Sequence, residues 1–68
     1  MRVYRVEVAQ NDSSHPYDSW NLKAENFAYL MVIAMGKIAE ISNIVNGVQD
    51  TGFSLRIIRI EELFVLDN

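Results

Sequence analysis

Tyr4, Val6 and Val8 alternate with Arg5 and Glu7 at the start of the chain, a period of two that predicts a half-buried β-strand over residues 2 to 10. Residues 10 to 19 are rich in Asn, Asp and Ser and contain Pro16, which cannot donate to a ladder, so they predict a surface loop. Trp20, Leu22 and Ala24 then alternate with Asn21, Lys23 and Glu25, the pattern of a second strand closing a hairpin on the first. The same residues also fit the start of a long helix. Trp20, Ala24, Phe27, Met31, Ala34, Ile38, Ile41 and Val45 recur at spacings of four and three. Length favours the strand: a helix starting at Ser19 would run about 40 Å, against about 30 Å for a nine-residue strand. A helix starting at Asn26, a good N-cap, matches that strand, and the longer helix is the alternative.

Asn46-Gly47-Val48 predicts the helix end, with Gly47 in the left-handed position after the last turn and Val48 folding back on it. Residues 49 to 52 then read as a turn. Phe53 to Ile60 is β-rich, but Phe53, Leu55 and Ile57 fall on one face, Ile58 and Ile60 on the other. That phase slip predicts a bulge, or a central strand covered on both sides. Glu61-Glu62 interrupts the apolar run, and Leu63 to Leu66 reads as a short fourth strand or a docking tail. The order strand, strand, helix, strand predicts an α+β domain over residues 1 to 68, with two layers: one long helix on a small, mostly antiparallel sheet.

At about 100° per residue, Phe27, Met31, Ala34, Ile38, Ile41 and Val45 form one helix line, assigned to the sheet. Ala28, Val32, Met35 and Ala39 form a second line about a quarter turn away, and Leu30, Ile33 and Ile44 flank the other side. Only Tyr29, Gly36, Glu40 and Asn43 make a wet stripe. A small sheet covers one side of such a helix. Either loops and the C-terminal tail cover the flanks, or a second copy docks on Ala28, Val32, Met35 and Ala39, since small residues and Met let another helix approach closely. The homodimer is the favoured expectation.

Composition sharpens this. A chain of 68 residues, half of them apolar, has room for one core and buries only about 60% of its unfolded surface. It has no cysteine, so packing or association must supply what a disulfide or thiolate metal site often gives small domains. The N-terminus lacks the continuous apolar segment of a secretory signal, so Met1 reads as an ordinary start residue and the protein as cytoplasmic. The run Phe27 to Met35 reads as too short to span a bilayer before Lys37 and Glu40. Six basic and nine acidic residues give a net charge of −3, the wrong sign for gripping a phosphate backbone. Neither a membrane nor direct nucleic-acid binding is expected.

Asp12, Ser13, Ser14, His15 and Asp18 are residue types used in nucleophilic catalysis and metal binding, but they crowd one polar loop with no oxyanion-forming elbow nearby. One His falls short of a zinc site's donor set. A solvated turn is the expectation, with no catalytic residue, metal or cofactor. Gly36, Gly47 and Gly52 are too scattered to cradle a phosphate. Tyr4, Tyr17, Trp20 and Tyr29 lack the interleaved cations of a base-stacking platform and read as core fillers with polar tips. Arg2, Arg5, Arg56 and Arg59 share the terminal strands with Glu7, Glu61 and Glu62, so pairing of those strands would let opposite charges meet. Against that stands an acidic edge of Asp50, Glu61, Glu62 and Asp67, able to meet a basic surface.

Lys23-Ala24-Glu25-Asn26-Phe27, leading from strand to helix, and the closing Arg59-Ile60-Glu61-Glu62-Leu63, together with the lack of an enzyme motif, give the chain its one resemblance. It resembles the small phage-encoded proteins that block host machinery, anti-CRISPR proteins and inhibitors of nucleic-acid-binding host factors among them. The likeness is to a class, so no functional residues carry over. Joined to the homodimer expected from the helix and the acidic edge expected from the charges, it implies a non-enzymatic inhibitor, acting in the host cytoplasm, that occupies a basic surface of a nucleic-acid-binding host protein and competes with nucleic acid. A structural or assembly subunit that oligomerises through the apolar helix face is the alternative, and a small-molecule sensor or enzyme accessory with a pocket between helix and sheet is the third.

Overall fold

The computed structural model describes residues 1–48 and 52–66. Three strands and one helix follow in the order β1 (Arg2–Gln10), β2 (Asp18–Ala24), α1 (Phe27–Val48) and β3 (Leu55–Val65). The sheet runs β2-β1-β3, antiparallel throughout. This is the two-layer α+β arrangement that the alternation and the helical spacing imply. Of residues 19–25, all but Glu25 lie in β2, and Val6 pairs with Trp20 and Tyr4 with Leu22.

The local reasons are visible. Asn26 caps the helix, its Oδ1 accepting the Tyr29 amide at 3.0 Å. At about 33 Å, the 22-residue helix matches the about 30 Å of β1. At the other end the Asn46 side chain grips the Phe53 peptide from both sides. Its Nδ2 donates to the Phe53 carbonyl at 2.9 Å, and its Oδ1 accepts the Phe53 amide at 2.8 Å. The chain's return from helix to β3 is thereby tied to the last helical turn.

The core lies between α1 and the sheet. Tyr4, Val6 and Val8 of β1, Ala24 of β2, Leu30, Ala34 and Ile38 of α1 and Leu55 of β3 form it, with Trp20, Leu22, Ile57 and Ile60 packed at its rim. Because β1 is the central strand, its other face is also sheltered in part. Val3 and Ala9, which point away from the helix, are buried, so the half-buried expectation for β1 understates its burial.

Four further expectations are corrected. The helix line nearest the sheet is Leu30, Ala34 and Ile38; Phe27 is 57% exposed because it sits in the first turn, at the end of the core. Gly47 is helical, without a positive φ, and α1 continues to Val48; the left-handed glycine is Gly52, at φ 67°. Leu63 to Val65 form no separate strand. β3 runs unbroken through Glu61-Glu62, and the expected phase slip is a real irregularity, with register shifts opposite Glu7/Val8 and Val3/Tyr4. Finally, α1 is long and apolar enough to cross a membrane by length and composition, since Lys37 and Glu40 do not end the helix as counting only to Met35 assumed. Here its Leu30 face is docked on the sheet.

Candidate interaction surface

The helix turns one face to the sheet, and among the described residues nothing covers its outer side. Ala28, Val32, Met35 and Ala39 are all exposed, Val32 at 70% and Met35 at 52%. Tyr29 is exposed in the polar stripe next to them, and Ile33 and Ile44 are exposed on the far flank of the helix. Neither the 11–17 loop nor the end of β3 reaches this stripe: Phe64 and Val65 are themselves more than half exposed. The cause is in the sequence, where apolar residues occupy three sides of a helix that meets a sheet on one. Of the two charges within α1, Lys37 is drawn toward β2, its Nζ 5.2 Å from the centre of the Trp20 ring. Glu40 lies on the outer side, exposed.

The stripe is apolar along its length: Val32 is 70% exposed and Met35 52%, with alanine at either end and Tyr29 at its edge. Only one member of that set, Tyr29, carries a polar group in its side chain. The surface can therefore bury area without desolvating a charge.

The opposite face of the sheet is of another kind. By register, Arg5 stands across from Glu61 and Glu7 from Arg59, with Asn21, Ser19 and Lys23 on the β2 side. Arg59 donates to Glu61 at 3.3 Å along β3, and on the helix side of the sheet Arg2 of β1 donates across to Glu62 of β3 at 2.8 Å. The hydrogen bond to Glu62, with its charge, holds the Arg2 guanidinium further above its ordinary range, so Arg2 stays charged at any working pH. Two members of the expected acidic edge, Glu61 and Glu62, are thus each matched by an arginine. The other two, Asp50 and Asp67, lie outside the described residues.

The polar loop uses its side chains locally. Ser13 Oγ accepts the His15 amide at 3.1 Å, and Asp18 accepts both the Ser19 amide at 2.8 Å and the Trp20 indole N–H at 3.0 Å. Arg56 reaches over to donate to the carbonyls of Asn11 and Ser13. Two open hollows complete the surface. One, about 380 Å³, lies among Gln10, Asn11, Asp12, Ser13, Phe53 and Ser54; the other, about 280 Å³, is lined by Met1, Lys23, Ala24, Glu25, Tyr29 and Ile33. Both are open to solvent rather than enclosing, unlike the cavities that bury most of a small ligand.

No family model, curated protein or solved structure matches this chain. The exposed helix face is accordingly the feature from which function is read. Sequence periodicity had picked out its four residues; it had missed that Leu30, not Phe27, anchors the helix.

Proposed function

We propose that this protein is a non-enzymatic interaction module whose working surface is the outer face of α1, and that the surface is closed by a second copy of the chain. The observation that supports this most is the exposure of Ala28, Val32, Met35 and Ala39 together on a helix whose opposite face is already packed. A stable dimer buries about 800 Å² from each partner, more than these four side chains present, so the contact takes in flanking residues of α1 as well.

The acidic-inhibitor reading drawn from the resemblance finds less support in the geometry. Its Glu61 and Glu62 already have arginine partners, so the edge presents little net negative charge to a basic visitor. Occupation of a basic host protein is therefore secondary to self-association in this proposal.

Sedimentation equilibrium over a wide concentration range tests it. The wild-type chain is expected to approach twice its 7.8 kDa mass as concentration rises. Met35→Glu, which buries a charge in any such interface, is expected to stay monomeric with an unchanged circular dichroism spectrum. A wild-type chain that remains at monomer mass throughout contradicts the proposal.

A further inference from the structure

Ala28, Val32, Met35 and Ala39 are separated by steps of four, three and four residues, a spacing that reads the same in both directions. We infer that two copies pack their α1 helices antiparallel across a two-fold axis, with Ala28 against Ala39 of the other copy and Val32 against Met35. This rests on the self-association proposed above and adds its geometry.

An isologous antiparallel contact requires that each residue and its counterpart share one midpoint along the helix. Both pairs have their midpoint between Ile33 and Ala34, so one axis satisfies them together. The pairing also matches size with size, setting the two larger side chains in the middle and alanine against alanine at either end.

Charge points the same way. The first turn of α1 carries no acidic residue and its last turn no basic one, so apart from the Asn26 cap no charge at either end of the helix offsets its dipole. About the same midpoint, Glu40 of one copy comes level with the first turn of the other, where the positive end of the dipole and the exposed Tyr29 hydroxyl both suit a carboxylate. A parallel pair would instead set the two N-termini side by side and Glu40 level with Glu40. The result is a four-layer particle, sheet, helix, helix, sheet, whose charged sheet faces look outward.

Disulfide mapping tests the arrangement cleanly because the chain has no cysteine of its own. Ala28→Cys and Ala39→Cys chains, carrying tags of different length, are oxidised separately and as an equimolar mixture. In the antiparallel pair two copies of residue 28 lie about 16 Å apart along the axis, far beyond the roughly 7 Å Cα limit of a disulfide. The mixture is expected to give the mixed disulfide at least about tenfold faster than either variant alone gives its own. Rapid self-linkage of Ala28→Cys with dimer mass retained would overturn the antiparallel geometry and leave self-association standing. Dimer mass without any of these links would place the interface elsewhere and overturn the inference. Monomer mass, or sedimentation with phosphatidylcholine vesicles in place of a dimer, would overturn both.

Discussion

Leu30 and Phe27 show what one turn of helix does to a side chain. Both are large and apolar, yet Leu30 is fully buried in the core, while Phe27, the first residue of the helix, is more than half exposed at the core's end. Periodicity alone ranked Phe27 with the core, since a helical wheel has an angle but no length. Leu30→Ala is expected to cost about 2–4 kcal/mol of unfolding free energy in urea titrations, and Phe27→Ala less than about 1 kcal/mol in dilute, monomeric samples. Ser42 gives the opposite sign. Its hydroxyl is buried with no hydrogen-bond partner among the described residues, so Ser42→Ala removes an unmet polar group and adds helix propensity. The same titration is expected to show a gain of about 0.5–1 kcal/mol.

At the scale of elements, the strands and the helix start were legible because their causes are local: alternation for β1 and β2, an asparagine cap for α1. The helix end was not. Gly47 invites a stop, but the Asn46 amide holds the Phe53 peptide seven residues on, a contact that only the folded chain creates. That clamp is partly buried, and Asn46→Ala is expected to cost about 1–2 kcal/mol, read as a lowered thermal midpoint, whereas loss of a solvent-exposed asparagine would cost almost nothing. In β3, Glu61-Glu62 read as a break because two charges seldom continue a buried strand. As an edge strand β3 exposes both, and the adjacent irregularities let Ile57 and Ile60 reach the core rim despite the phase slip.

For the molecule as a whole, the decisive facts are its flatness and the unlike character of its two faces. It measures 44 × 22 × 15 Å, with a radius of gyration of 13.1 Å against about 11 Å for a compact domain of this length. One face of the sheet carries Arg5, Glu7, Arg59 and Glu61 around the buried Val3 and Ala9; the other side is a helix with few charges to solvate it. The stripe was legible in the sequence because apolar circumference can be counted. Whether tail and loops would cover it could not be counted, since that depends on where β3 ends. If the helix face is the interface, raising salt and reversing charge with Glu61→Lys and Glu62→Lys leave the self-association constant within about twofold, as expected for apolar burial. An acidic docking edge would lose much of its binding under both. The most direct measurement is a dilution series of backbone and methyl NMR spectra. The account predicts that signals of Ala28, Val32, Met35 and Ala39 shift with concentration while those of Arg5, Glu7 and Arg59 stay fixed. Shifts confined to the sheet face, or none at any concentration, would contradict it.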